Sequence, residues 1–113
     1  MDKLRETLAT REEILLAILH GSFLKEYPFR DVDVALYVKD VLDMLDYKLM
    51  LDEELSNNLG YRVDVQILNH APHYFVLNVF RNGVILLEKV NGLFASLYLR
   101  ALDEQMLGCM LKS

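Results

Sequence analysis

The sequence predicts an α/β (α+β) fold, a small mixed sheet flanked by helices. Three observations point to it. Helical and strand-like patterns alternate along the chain, and no two strands are joined by a two-residue turn. The strand candidates are short runs that are wholly apolar or alternate with a period of two. The link between the first two strands is too short for a helical crossover, so the sheet is expected to be mixed. With 113 residues, 53% of them hydrophobic, the chain can bury one core of moderate size, and 1–113 is expected to be a single domain.

The elements follow in order. Residues 2 to 12 are charged good helix formers with Leu4 and Leu8 one turn apart, a short amphipathic helix. Glu12 to His20 turns apolar and is the first strand, ending at Gly21. Ser22 to Phe29 is a loop, or a helical turn and then a loop, because Pro28 forbids a regular helix across it. Asp31 to Val38 is the second strand. A helix over 40 to 59 is expected, with Asp40 as N-cap and Val41, Leu42, Leu45, Leu49, Leu55 and Leu59 as its apolar stripe. Asn58 and Gly60 stop it. Tyr61 to Leu68 is the third strand, with Tyr61, Val63, Val65 and Ile67 on one face and Arg62, Asp64 and Gln66 on the other. A loop with Pro72 leads to a short helix over 73 to 82, stopped at Asn82-Gly83, and Val84 to Glu88 is a short strand. Asn91 opens a last helix to about residue 111, where Leu93, Phe94, Leu97, Ala101, Leu102 and Met106 are apolar. Leu97, Tyr98 and Leu99 are consecutive, so this helix is expected to leave an apolar patch for a second copy or a partner protein.

Composition narrows the function classes. The formal net charge is −5, so the surface does not invite direct contact with nucleic acid. An acidic protein can still hold a nucleotide where a metal ion bridges the phosphates. The single cysteine, Cys109, excludes an internal disulfide and fits a reducing compartment. No apolar run approaches membrane-spanning length. Met1 to Glu6 carries both charge signs and is not a signal peptide. The cytoplasm is the expected location.

The chemistry is carried by His20-Gly21-Ser22 and Arg30-Asp31-Val32-Asp33-Val34, with Asp64 further on. Asp31 and Asp33 share one face of their strand while Val32 and Val34 take the other. Carboxylates side by side repel, and a divalent cation between them removes the conflict. If the second and third strands are neighbours, Asp64 joins them, and three carboxylates can hold two Mg²⁺ ions. Gly21 lets the backbone approach a phosphate, and the Ser22 hydroxyl and amide can donate to it. Phosphoryl and nucleotidyl transfer need little beyond such positioning and charge neutralisation.

Gly-Ser, a loop, Asp-x-Asp opening a strand and a lone Asp on a later strand resemble the signature of the polymerase-β-like nucleotidyltransferase superfamily. The short chain looks like its minimal nucleotidyltransferase (MNT) domains, antitoxin-type partners of helical HEPN proteins. The resemblance spans roughly residues 12 to 90. It implies that Gly21 and Ser22 bind the nucleotide phosphates; Lys25 and Arg30, in the loop that would overhang them, could neutralise phosphate charge or be solvated loop cations. Asp31 and Asp33 would hold the Mg²⁺ ions. Asp64 would complete the metal site and help activate the acceptor hydroxyl. The loop before Asp31 is shorter than is common in the family and lacks a Gly, and Arg30 stands where a Ser is usual.

Plainer readings stand beside these. Asp31 and Asp33 could open a half-exposed strand in solvent, although the rest of that strand is almost wholly apolar. Arg62 could pair with Asp64 as a surface ion pair. Ser22 could cap a helical turn, and Lys25 could be a solvated loop cation. His70 and His73 form His-x-x-His, a weak metal signal without further ligands. His20 is expected to pack at its strand end, and Cys109 to be a small hydrophobe. Three functional expectations follow: transfer of AMP from ATP to a hydroxyl of a HEPN partner, neutralisation of that partner by contact alone, and nucleotidylation of a small molecule. The missing acceptor-binding domain weighs against the third.

Overall fold

The computed structural model describes residues 2–20 and 31–112. The described elements are α1 (Asp2–Ala9), β1 (Ile14–His20), β2 (Asp31–Val38), α2 (Met44–Leu59), β3 (Arg62–Ile67), α3 (His73–Asn82), β4 (Val84–Glu88) and α4 (Leu93–Lys112). The strands form one sheet in the order β3-β2-β1-β4. β1 runs antiparallel to both β2 and β4, and β2 runs parallel to β3, so the sheet is mixed as expected. The parallel pair is joined through α2, the crossover that parallel strands require.

Alternation sends the strand side chains into two cores. Ala17, Leu19, Val32, Val34, Leu36, Val63 and Val65 pack with Leu4 and Leu8 of α1 and Tyr47, Leu51 and Leu55 of α2. Leu16, Ile18 and Ala35 face the other way, onto Val76, Leu77, Val79 and Phe80 of α3 and Ala101 of α4. Helices therefore cover both faces, and β1 and β2 are apolar on nearly every position because both their faces are buried. Phe80, Phe94 and Tyr98 hold α3 to α4, with Phe80 stacked on Phe94 at 4.6 Å between ring centroids.

α2 departs from the sequence reading in two ways. It starts at Met44, and its N-cap is Asp43, whose side chain accepts from the Asp46 N–H at 3.0 Å. Asp40 lies instead in the left-handed region, φ 58°, in the turn after β2. Leu55 is buried as expected, but its companions are Tyr47 and Leu51, while Leu42, Leu45 and Leu49 are exposed. Gly60 ends the helix as expected, at φ 78° with its N–H bonded to the Ser56 carbonyl. Other ends are shorter than the pattern suggests: α1 closes at Ala9, β1 begins at Ile14, β3 spans Arg62–Ile67 and α4 begins at Leu93. On α4, Leu93, Phe94, Leu97 and Leu102 pack on the core, whereas Leu99, Met106 and Leu107 are exposed, the apolar patch expected there.

β3 is an edge strand, and its outward N–H groups need partners. α2 supplies them: the Val63 N–H donates to Ser56 Oγ at 2.9 Å and the Val65 N–H to Asp52 Oδ1 at 2.6 Å. At the far end Asn69 closes the β2 side, accepting from the Val38 N–H at 3.0 Å and donating to its carbonyl at 2.6 Å. The register that places the site is thus pinned at both ends.

Candidate active site

Three polar residues form a row across three adjacent strands. His20 of β1 is the register partner of Asp33 of β2, and Asp33 is the register partner of Asp64 of β3. Neighbouring strands lie about 4.8 Å apart, and residues paired in register point to the same face. Val32, Val34, Val63 and Val65 take the opposite face, into the core. The side-by-side placement of Asp33 and Asp64 required β2 and β3 to be neighbours, and they are. Asp31 pairs with Arg62 two residues earlier on the same strands, so it shares the parity of Asp33. Gly21, Ser22, Lys25 and Arg30 lie outside the described residues, as does the side chain of Asp31. His20, the residue that precedes Gly21, is the one opposite Asp33.

Asp64 is tied at both oxygens. Lys48 Nζ donates to Oδ1 at 3.0 Å, and Gln66 Nε2 donates to Oδ2 at 2.6 Å. Lys48 also donates to Asp52 Oδ2 at 2.7 Å, and Asp52 uses its other oxygen on the Val65 N–H. Lys48, Asp52 and Ser56 sit four residues apart, so they line one edge of α2 against β3. Burial works to lower the Lys48 pKa, but the hydrogen bonds and charges of Asp52 and Asp64 outweigh it and hold the ammonium above its ordinary value. Lys48 is a site residue that the sequence reading missed. Its i,i+4 spacing to Asp52 is a local signal, but its contact with Asp64 depends on tertiary structure.

His20 packs at its strand end as expected, with its ring edge-on to Phe75 at 6.1 Å. Its Nε2 is buried and has no hydrogen-bond partner among the described residues. Burial lowers its pKa, against the smaller opposing pull of Asp33 and Asp64, so the ring is held toward its neutral form. His73 opens α3 with its ring edge-on to Tyr74 at 6.0 Å, and His70 is exposed. No group of three His, Cys, Asp or Glu side chains able to hold a metal occurs among the described residues. The described part of the acidic patch is Asp33 and Asp64. Two carboxylates are hard oxygen donors that suit Mg²⁺, and the patch already draws in the Lys48 cation. The donor set therefore fits the ion that the sequence reading assigned to it.

A separate concavity lies at the other end of the same sheet face, lined by Tyr37, Leu68, His73, Phe80, Leu97 and Arg100. Tyr37 stands four residues beyond Asp33 on β2, about 13 Å along the strand. This hollow is not part of the carboxylate site.

Acidic residues thus stand abreast on the parallel pair β2 and β3, at one end of a small mixed sheet with helices on both faces. The family model for the polymerase beta nucleotidyltransferase domain matches residues 2–91, and the chain belongs to that family. No curated protein sequence gives a significant match. Among solved structures, a chain of a toxin–antitoxin complex with AMP-PNP superposes with a TM-score of 0.80 at 22% identity, covering 98% of this chain and 91% of that one. A chain of the MntA–HepT toxin–antitoxin complex gives 0.76 at 20% identity, with 98% and 89% covered. A chain of the tri-AMPylated Shewanella oneidensis HEPN toxin in complex with MNT antitoxin gives 0.73 at 21% identity, with 99% and 93% covered. At these identities the likeness carries the fold, the polymerase-β-like one expected from the sequence. Among the described residues no helix is long and apolar enough to cross a membrane.

Proposed function

We propose that residues 1–113 act as one minimal nucleotidyltransferase domain that moves AMP from ATP to a hydroxyl on a helical HEPN-type partner, and so serve as the antitoxin of a toxin–antitoxin pair. The observation that supports it most is the in-register pair Asp33 and Asp64 beside the strand end that leads into Gly21-Ser22. Asp31, Asp33 and Asp64 are the metal ligands of this reading. Mg²⁺ held by them would supply charge neutralisation of the triphosphate and polarisation of the phosphorus under attack. Gly21 and Ser22 receive the terminal phosphates through backbone and hydroxyl donors, with Arg30 as a further cation. Asp64 accepts the hydrogen bond of the acceptor hydroxyl and takes its proton. The acceptor oxygen bonds to the α-phosphorus, the bond to the β-phosphate oxygen breaks, and pyrophosphate leaves. The neutral form favoured for His20 adds no further positive charge beside Asp33. The cytoplasm, where ATP is available, is the compartment that belongs to this reading.

The acceptor belongs to the partner in this scheme. The solved complexes described above, one of them with an AMPylated toxin, support that assignment by analogy of fold. A second reading is neutralisation by contact alone, and the exposed apolar side chains Leu45, Leu49, Leu99 and Met106 favour a protein partner under either reading. Incubation with labelled ATP, Mg²⁺ and a co-expressed HEPN partner separates the two. Transfer of label to the partner, lost in Asp31→Asn and Asp33→Asn, supports the enzyme. Full neutralisation by those variants without any transfer leaves only the contact reading.

A further inference from the structure

We propose that Lys48 is a built-in competitor for the divalent cation. Its ammonium holds the Asp64 carboxylate in the metal-free protein and must yield it, in whole or part, before Asp64 can ligate a metal. The inference rests on the assignment of Asp64 as a metal ligand, and nothing in that assignment requires a lysine.

The geometry is that of a cation with two seats. Lys48 Nζ lies 3.0 Å from Asp64 Oδ1 and 2.7 Å from Asp52 Oδ2. Asp52 does not move with Asp64, because its other oxygen accepts from the Val65 N–H at 2.6 Å. When Asp64 turns to another cation, the ammonium keeps a fixed carboxylate and is not left bare. Neither residue is deeply buried, with side-chain exposures of 26% for Lys48 and 39% for Asp64, so the pair is of the kind that exchanges readily. Gln66 holds the second oxygen at 2.6 Å and keeps Asp64 aimed while Lys48 lets go. Two cations cannot share one carboxylate without repelling each other. Lys48 therefore weakens metal binding to the nucleotide-free protein and leaves the site poised for a metal that arrives with the triphosphate. Lys48 is a positioning residue here, acting through Asp64.

The test is Mn²⁺ binding without nucleotide, followed by electron paramagnetic resonance of the free ion, for the wild type, Lys48→Met, Asp64→Asn and the double variant. Thermal melts check that each is folded, and Lys48→Gln replaces Lys48→Met if the latter is not. Lys48→Met should bind Mn²⁺ about three- to tenfold tighter, and the gain should vanish when Asp64 is Asn. Lys48→Arg, which keeps the charge, should restore wild-type affinity. Unchanged or weaker binding by Lys48→Met overturns the proposal while leaving the metal site standing. A gain that persists undiminished in the Asp64→Asn background also overturns it, since the lysine then acts only through its distant field. Absence of Mn²⁺ binding in every variant overturns both this inference and the assigned metal site.

Discussion

Asp52 is the residue whose removal tests most of this structure at once. One of its oxygens accepts the Val65 N–H of the edge strand at 2.6 Å, and the other pairs with Lys48 at 2.7 Å. In Asp52→Ala the Val65 N–H loses a charged acceptor, a loss of about 2 kcal/mol. The partly exposed ion pair adds about 0.5 kcal/mol. Alanine returns about 0.5 kcal/mol through its better helix propensity. The net loss is about 2 kcal/mol, and for a domain of this size that lowers Tm by roughly 8 °C. Asp52→Asn separates the two bonds. Its side-chain oxygen can still accept from Val65, at neutral strength, while the pair with Lys48 is gone, so the loss should be nearer 1 kcal/mol. Urea unfolding followed by circular dichroism, with matching m-values, gives both numbers. An Asp52→Ala variant within about 0.5 kcal/mol of wild type would refute the idea that α2 caps the sheet edge. Equal losses for Ala and Asn would show that the ion pair, not the cap, matters.

Three further outcomes are expected. A Cβ at Gly83 would stand 2.5 Å from Ile18 Cγ2, 2.6 Å from the Val79 oxygen and 2.9 Å from the Leu19 oxygen, so Gly83→Ala must push two backbone segments apart. It should lower stability by about 2 kcal/mol or more in the same urea assay. Glu13 accepts from the Tyr47 hydroxyl at 2.6 Å. Burial raises its pKa, but that bond, a backbone hydrogen bond and Arg11 together bring it below its ordinary 4.5. A depressed carboxylate stabilises the fold above the unfolded pKa, and the contribution is lost as pH falls through the lower folded value. Wild type should therefore exceed Glu13→Gln in stability at pH 7 by about 0.5–1 kcal/mol, and thermal melts should show the gap closing below pH 4.5. Asp33→Asn should abolish labelled-AMP transfer while the protein still folds, because it removes one of the two in-register carboxylates. A clear loss of Tm would make Asp33 structural.

The strands were the legible part, because a period of two writes burial directly into the sequence. Val63 and Val65 against Arg62, Asp64 and Gln66 needed no more than parity, and the acidic row across β2 and β3 followed once those strands proved adjacent. α2 was legible in extent but not in orientation. Leu42, Leu45 and Leu49 made a plausible apolar stripe with Leu55, yet of these four only Leu55 is buried, beside Tyr47 and Leu51. The helix is turned so that Asp52 and Ser56 meet the edge of β3, and a hydrophobic pattern says nothing of backbone N–H groups that another element leaves unpaired. The cap was misplaced for a related reason. Asp40 and Asp43 are the same residue type before the same helix, and only Asp43 lies three residues ahead of an N–H it can accept, that of Asp46. Lys48 meeting Asp64 and His20 facing Asp33 are consequences of register and crossover, which no local pattern carries.

That turn of α2 joins stability to chemistry. An edge strand can present an accessible carboxylate because its outer side stays open, and β3 leaves Asp64 39% exposed. The same openness leaves N–H groups bare and invites the strand to slip or pair elsewhere. A one-residue slip would send Asp64 into the apolar core and Val63 and Val65 outward. The row on α2 answers both problems with one set of side chains: Ser56 and Asp52 fix the strand, and Lys48, anchored on Asp52, steadies the carboxylate that the fixed strand presents. β2 needs no such row, because it lies between β1 and β3 and its register is held by ladders on both sides. Substitutions along the row should therefore move stability and site properties together.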